Sequence, residues 1–261
     1  KIDRGYEVSF LPVNSYAQVE YDTFRNAIKD NTILASFIWG NNEIGSLNNI
    51  ESLCNIAKER NILFHSDATQ VLGKIGIDVK KLPVDFLSIS AHKIYGPKGV
   101  GAAFVRQTGL TNYKMTSLIH GGLQEDGYRA GTSAVHNIVG FGKACEIAKR
   151  DMNEYIKKIS AMEIEAKKML IEKYPGVEFL GDPEHHIPGV IGMLIPGIVN
   201  DMFIKDMADK GVCAISSGSA CGIGEPSYII KEIGYECKSS IFLRLTLSKF
   251  FNMYDLKTEF F

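Results

Sequence analysis

Polar side chains follow three short apolar runs of the chain. The runs are Thr32–Trp39, Ile62–His65 and Phe86–Ile89. The polar residues that come after them are, in chain order, Asn42, Asp67, Gln70, Ser90, His92 and Lys93. In an open α/β sheet, ligands bind beyond the carboxyl ends of the strands. If these runs are neighbouring strands, the six side chains meet at one edge of the sheet.

An aspartate, a lysine and hydroxyl or imidazole donors match the needs of pyridoxal phosphate (PLP). The lysine forms a Schiff base with this cofactor, and a carboxylate keeps the pyridine nitrogen protonated so that the ring accepts electrons. Hydroxyl and imidazole groups hold the phosphate. The residue types therefore predict a PLP site that contains Asp67 and Lys93.

The elements around these residues alternate between strand and helix patterns. A helical spacing over Ile50–Arg60 separates the first two apolar runs, and Val100–Val105 is a fourth run. This alternation predicts an α/β domain with a mostly parallel sheet. Because the runs are apolar at every position, they also predict strands that are covered on both faces.

The pattern changes near residue 137. Ile138–Lys173 is amphipathic and charged, which predicts a helix in one or two pieces, and shorter elements follow at Val190–Ile195, Asp201–Lys210 and Pro226–Ile233. We predict that residues 1–137 are part of a large PLP-binding α/β domain. A linking helix would cover residues 138–175, and a small C-terminal α+β domain would cover residues 176–261.

Composition excludes several classes of protein. The net charge of −1 does not favour nucleic acid or an anionic membrane as a partner, and no apolar run approaches the roughly 18 residues that span a bilayer. The five cysteines are scattered and odd in number, which argues against a disulfide framework and a zinc ribbon. His185 and His186 lie in a polar turn, so we predict no metal site. These features predict a cytoplasmic protein.

Several segments resemble one family in the order in which that family carries them. They are NNEIG (41–45), HSDATQ (65–70), SAHKIYGPKG (90–99), HGG (120–122), RAGT (129–132), SSGSAC (216–221) and EPSY (225–228). Together they resemble the PLP proteins of the class V aminotransferase type, and most closely the NifS/IscS type of cysteine desulfurase. The resemblance extends from about residue 5 to residue 250 and implies a fold type I, aspartate-aminotransferase-like PLP transferase.

The resemblance also implies roles for individual residues. Lys93 would bind the cofactor covalently and shuttle a proton at the substrate α-carbon, and Cys221 would be the sulfur-accepting nucleophile. Asp67 would pair with the pyridinium nitrogen, and Gln70 and Asn42 would contact the ring hydroxyl and the substrate. Ser90 and His92 would bind the phosphate of the same chain, and Thr132 would bind the phosphate of the neighbouring chain in a homodimer. Arg244 would bind the substrate carboxylate through two parallel hydrogen bonds.

The implied reaction converts L-cysteine to L-alanine with a persulfide on Cys221. The sulfur would pass to an acceptor or scaffold protein in iron–sulfur cluster assembly or tRNA thiolation. One alternative is a non-catalytic, truncated remnant of the family. Another is a different class V activity, such as a selenocysteine lyase or an aminotransferase, although a cysteine in a Gly/Ser-rich loop favours sulfur or selenium chemistry.

Three departures from the family pattern stand out. The family carries a Gly-rich phosphate turn and a ring-stacking histidine before the region that matches residue 1, whereas the first histidine here is His65. The chain also stops soon after Phe250, so we expect a fragment or a truncated product. The second departure is the gap between Cys221 and Glu225, which is shorter than is usual in the long-loop subgroup of the family. The third concerns two charged positions, because Asp126 replaces a basic residue and Lys249 stands where arginine is common.

Overall fold

The computed structural model describes two compact units. The described residues are 5–107, 116–198, 215–216, 227–235, 240–252 and 254. The first unit comprises Lys29–Trp39 and Asn49–Met152, and the second comprises Lys1–Ile28, Gly40–Asn48 and Asn153–Phe261. The domain boundaries given above stay predictions.

The first unit is built on a sheet of four described strands. They are β1 (Leu34–Ile38), β2 (Leu63–Asp67), β3 (Phe86–Ser90) and β4 (Gly101–Val105), in the order β1-β2-β3-β4. The first three strands are parallel, and β4 pairs antiparallel with β3. The expectation of an α/β unit with a mostly parallel sheet is confirmed.

The helix α2 (Ile50–Glu59) connects β1 to β2. It begins where the side chain of Asn49 accepts a hydrogen bond from the backbone N–H of Ser52, at 3.1 Å, which satisfies one of the free donors at a helix start. Its buried residues are Ile50, Leu53, Cys54, Ile56 and Ala57. Their helical spacing explains why the stretch forms an amphipathic helix.

One face of this sheet is much more buried than the other. Ala35, Phe37 and Phe64 are buried, and the rings of Phe37 and Phe64 stack with centroids 5.5 Å apart. On the opposite face, Leu34 is 50% exposed and Ile38 is 38% exposed. The uniform apolar runs predicted burial on both faces. In the described part of the chain, β1 is instead buried on one face only.

A single long helix, α3, contributes residues to both units. It covers Val135–Lys173 without interruption, whereas the sequence left open a helix in two pieces that began at Ile138. In the first unit, Phe141 and Ala144 pack in a cluster with Ala91 and Ile94. The four buried residues that α3 places in the core of the second unit are Ile159, Met162, Ala166 and Leu170.

The second unit contains an antiparallel sheet of four described strands. They are β5 (Glu178–Leu180), β6 (Val190–Pro196), β7 (Ile215–Ser216) and β8 (Ser240–Thr246), in the order β5-β6-β8-β7. Two short helices, α1 (Tyr21–Ala27) and α4 (Tyr228–Glu232), belong to the same unit. Of the three shorter elements that the sequence predicted, Val190–Ile195 is a strand, Pro226–Ile233 contains the helix α4, and Asp201–Lys210 lies outside the described residues.

Candidate functional site

The carboxylate of Asp67 stands at the end of β2. Its Oδ1 accepts a hydrogen bond from the backbone N–H of Thr69 at 2.9 Å, which fixes the direction of the side chain. Its carbonyl oxygen accepts from the backbone N–H of Trp39, also at 2.9 Å. Asp67 therefore belongs to the sheet by its backbone, while its half-buried side chain lies at the edge.

Two basic residues follow β3 in one turn of 3₁₀ helix, Ala91–Ile94. Ala91 and Ile94 are buried, whereas His92 is exposed and Lys93 is half-buried. Tyr95 ends the turn in the left-handed region, with φ at 65°. The two apolar side chains thus hold the turn against the core and leave the imidazole and the amine on its outer side.

A hydroxyl–imidazole pair forms at the same place. The distance between Oγ of Ser90 and Nδ1 of His92 is 2.7 Å, which is a short hydrogen bond. Because β1, β2 and β3 are parallel neighbours, their carboxyl ends share one edge, and the structure brings Asp67 and the Ser90–Lys93 segment to that edge. Gln70, half-buried, follows Asp67 in the next turn. This donor set fits PLP: an amine, a carboxylate and phosphate donors are all present.

A row of hydrogen bonds crosses the three parallel strands beside this edge. Nδ1 of His65 lies 2.8 Å from Oγ of Ser36, and Nε2 lies 3.2 Å from Oγ of Ser88. Burial lowers the pKa of His65, although the charge of Asp67 acts in the opposite direction. His65 and Asp67 are two residues apart on one strand and so lie on the same face. The row ties together the strands that present the candidate PLP residues.

The predicted substrate residues meet in the second unit. Arg244 lies on β8, and Asn42 lies in the turn Gly40–Asn48. An NH1 hydrogen of Arg244 is donated to the backbone carbonyl of Asn42 at 2.8 Å, so the contact uses the main chain of Asn42. Burial lowers the pKa of Arg244, and the negative charge of Glu43 raises it. Among the residues that the structure describes, the buried Nε of Arg244 has no hydrogen-bond partner.

Two further residues of this region were missed from the sequence. Glu43 is only 3% exposed, and its carboxylate accepts a hydrogen bond from the hydroxyl of Ser227. The sequence feature that could have indicated Glu43 is a charged residue between polar Asn42 and apolar Ile44 in a turn after a strand. This feature does not identify the hydrogen-bond partner, because Ser227 is distant in sequence.

The remaining predicted site residues are Thr132 and Cys221. Thr132 is exposed and follows a turn in which Gln124 accepts a hydrogen bond from the N–H of Gly131 at 3.1 Å. Its contact with a neighbouring chain stays a prediction. Cys221 lies outside the described residues.

Within the part of the chain that the structure describes, no helix combines the length and the apolar character that a bilayer crossing requires.

Comparisons with known proteins agree on one family. The family model described as "Aminotransferase class-V" matches residues 1–249. Cysteine desulfurase IscS of Plasmodium falciparum is 38% identical over 257 residues, which are 97% of this chain and 46% of that protein. The chain spans about half the length of the curated relatives it matches.

Solved structures give the same result. A NifS-like protein superimposes with a TM-score of 0.87 at 28% identity, covering 98% of this chain and 67% of that one. The structure "SspA in complex with cysteine" superimposes with a TM-score of 0.75 at 32% identity, covering 93% and 67%. These neighbours confirm the predicted fold type I, and the enzymes of this family are in general PLP-dependent. The chain belongs to the class V aminotransferase family.

Proposed function

We propose that this chain provides most of the catalytic portion of a PLP-dependent cysteine desulfurase. The observation that supports the proposal most strongly is the edge of the first sheet. There, Asp67 ends one strand, and the hydrogen-bonded Ser90–His92 pair and Lys93 follow its neighbour. The similarity to proteins named cysteine desulfurase, and to a structure that contains cysteine, supports L-cysteine as the substrate.

Residues of the first unit hold the cofactor in this proposal. When bound, PLP supplies an electron sink for the carbanion that forms at the substrate α-carbon. The carboxylate of Asp67 would pair with the pyridinium N–H, and Gln70 would hydrogen-bond the ring hydroxyl. Ser90 and His92 would hold the phosphate. The amine of Lys93 would bind the cofactor and would move the proton at the substrate α-carbon.

Residues of the second unit bind the substrate. The guanidinium of Arg244 takes the carboxylate of L-cysteine in a two-pronged hydrogen bond, a geometry that lysine does not offer. Its existing contact with the carbonyl of Asn42 supports this role, because that contact fixes one side of the guanidinium and orients the other.

Sulfur transfer uses Cys221 as a thiolate. Its Sγ attacks the Sγ of the bound substrate, a new S–S bond forms, and the Cβ–Sγ bond of the substrate breaks. The electron pair of that bond passes to the substrate carbon, which is protonated to give L-alanine. The persulfide remains on Cys221. A free cysteine has a pKa of about 8.5, so a nearby positive charge would increase the reactive fraction at neutral pH.

Absorbance of the purified protein with added PLP tests the cofactor assignment. We expect a visible band that borohydride abolishes, and a peptide containing Lys93 that carries the reduced cofactor. Lys93→Ala should remove both, while the control Lys98→Ala, at an exposed position of the same segment, should keep both.

Two outcomes oppose the proposal. A colourless wild-type protein would support a non-catalytic remnant of the family. A reducible lysine adduct that persists in Lys93→Ala would place the cofactor on another residue.

We also propose a homodimer in which Thr132 reaches the phosphate of the neighbouring chain. Large apolar side chains are exposed around this segment, including Leu118 at 83% and Leu123 at 85%, and Val135 and Val139 at the start of α3. Exposed apolar groups of this extent mark contact surfaces. Sedimentation should show a dimer, and a monomer with full PLP occupancy would contradict the proposal. The sulfur acceptor and the cytoplasmic location stay predictions.

A further inference from the structure

The turn Gly40–Asn48 has a fixed backbone. The side chain Oδ1 of Asn41 accepts hydrogen bonds from the backbone N–H groups of Glu43, at 2.8 Å, and Ile44, at 3.1 Å. On β6, Gly192 leaves no space beside the turn, because a Cβ there would lie 2.9 Å from Cγ2 of Ile44. The main chain at Glu43 is therefore held from both sides.

The side chain of Glu43 is a buried carboxylate with a specific partner. It is 3% exposed, and the hydroxyl of Ser227 donates to its Oε2. The same hydroxyl accepts a hydrogen bond from the backbone N–H of Ile230 at 3.4 Å, so it caps α4. A serine hydroxyl has one proton to give and lone pairs to accept with, and both functions are used here.

Ser227 lies close to Cys221 in the sequence. Residues 222–226 alone separate Ser227 from Cys221. Ile230 of α4 and Ile44 of the turn belong to one hydrophobic cluster, so apolar packing and the hydrogen bond hold the same two segments together. Ser227 and the start of α4 are thus tied to the turn that contains Glu43.

The carboxylate of Glu43 also acts on Arg244. Removing a guanidinium from water is unfavourable unless an opposite charge compensates. The charge of Glu43 favours the ionised form of Arg244, which burial disfavours. The adjacent residue, Asn42, accepts a hydrogen bond from the same guanidinium. Two successive residues of the turn therefore act on Arg244: Asn42 accepts its hydrogen bond, and the charge of Glu43 favours its ionised form.

We propose that Glu43 is a positioning residue that couples Arg244 to the start of α4. Its charge stabilises the arginine that receives the substrate carboxylate, and its carboxylate holds Ser227 at the beginning of that helix. The catalytic meaning of this coupling rests on the proposed function. The coupling itself does not, because it concerns contacts within this chain.

The first experiment separates the charge of Glu43 from its shape. Glu43→Gln keeps the size and an oxygen acceptor but removes the charge, and Glu184→Gln removes one charge from an exposed position of the same unit. The ¹H–¹⁵N signal of Arg244 Nε, assigned with Arg244→Lys, reports the order of the guanidinium without cofactor or turnover. We expect Glu43→Gln to broaden or shift this signal and Glu184→Gln to leave it unchanged.

Kinetics provide an independent measurement on the protein loaded with PLP. Glu43→Gln should raise KM for L-cysteine about tenfold, the size expected for one interaction with a charged group. The value of kcat should fall less. Ser227→Ala should also raise KM, but by less than Glu43→Gln does, because it removes the hydrogen bond that holds the carboxylate of Glu43 and leaves the charge in place.

The most direct test of the coupling changes Ser227 and measures the signal of Arg244. Ser227→Ala should perturb the Nε signal of Arg244, and Ser227→Thr, which keeps the hydroxyl, should not. An unchanged signal in Ser227→Ala would overturn the coupling. This pair also decides the matter if Glu43→Gln fails to fold.

The two proposals can fail separately. A wild-type protein without desulfurase activity that gives the expected Arg244 signals contradicts the proposed function and retains the coupling. An active protein in which Glu43→Gln leaves both KM and the Nε signal unchanged, or lowers KM, contradicts the coupling alone.

Discussion

The sheets of the two units differ in how they use their faces. In the second unit, every residue of β6 from Val190 to Ile195 is buried, so that this strand is covered on both sides. In the first unit, β1 alternates between exposed and buried positions, and the exposed face carries Ser36 in a polar row with His65 and Ser88. The buried strand β6 therefore contributes to the core of the second unit. The exposed face of the first sheet instead carries polar groups next to Asp67.

The units also place their charged groups differently. The candidate cofactor residues lie at strand ends, where Asp67 and Lys93 are half-buried and His92 is exposed. In the second unit, Glu43 and Glu163 are almost fully buried. The carboxylate of Glu43 accepts a hydrogen bond from Ser227, and that of Glu163 contacts His186, Gly189 and Lys167. A buried charge must be compensated by groups of the protein itself. At an exposed edge, a bound ligand can compensate the charge instead.

The largest stability effect should come from Glu163, on α3. Its Oε1 lies 2.9 Å from Nε2 of His186 and 2.7 Å from Nζ of Lys167, and its Oε2 accepts from the N–H of Gly189 at 2.8 Å. Although burial alone would raise it, these three hydrogen bonds lower the pKa of Glu163 from 4.5 to about 2. A shift of this size corresponds to a contribution of about 3 kcal/mol to the free energy of unfolding.

The sign of the shift gives the pH dependence. Because the carboxylate is favoured in the folded state, its contribution is complete above pH 4.5 and is lost as the pH falls from 4.5 towards 2. Glu163→Gln should therefore destabilise the protein by about 2–4 kcal/mol at pH 7 and much less at pH 2.5. Urea unfolding followed by circular dichroism at both pH values measures this difference.

Glu165→Gln is the matched control for this measurement. Glu165 lies on the same helix and pairs with Lys168 at 2.7 Å, but both side chains are largely exposed. The change should cost less than about 0.5 kcal/mol, as is usual for surface ion pairs. Equal losses in the two variants would contradict the distinction between compensated burial and an open surface.

A smaller effect is expected for the polar row of the first sheet. Ser36→Ala removes the 2.8 Å hydrogen bond to His65, which should lower the free energy of unfolding by about 1 kcal/mol because the site is open to water. Ser36→Thr keeps the hydroxyl and should be close to wild type. A loss of more than about 3 kcal/mol would show that the row is a buried network instead.

Local sequence patterns predicted part of this organisation, whereas the rest depends on contacts between residues that are distant in sequence. The strands and the edge formed by Asp67 and the Ser90–Lys93 segment followed from residues that are close in sequence, whereas the fold type followed from the resemblance of the ordered motifs to one family. The bonds from Glu43 to Ser227 and from Arg244 to Asn42 join residues 184 and 202 positions apart, and no periodicity indicates such partners. The one-sided burial of β1 was missed because an apolar run does not state which of its faces is covered.

The formation of a persulfide on Cys221 tests the central claim most directly. The protein loaded with PLP should be incubated with L-cysteine, digested and analysed by mass spectrometry, while alanine is measured in the same sample. We predict an added mass of about 32 Da, one sulfur atom, on the peptide containing Cys221, formed together with L-alanine. Cys221→Ala should form neither the adduct nor alanine at the wild-type rate. Full turnover in that variant, or an adduct confined to Cys213 or Cys237, would contradict the account.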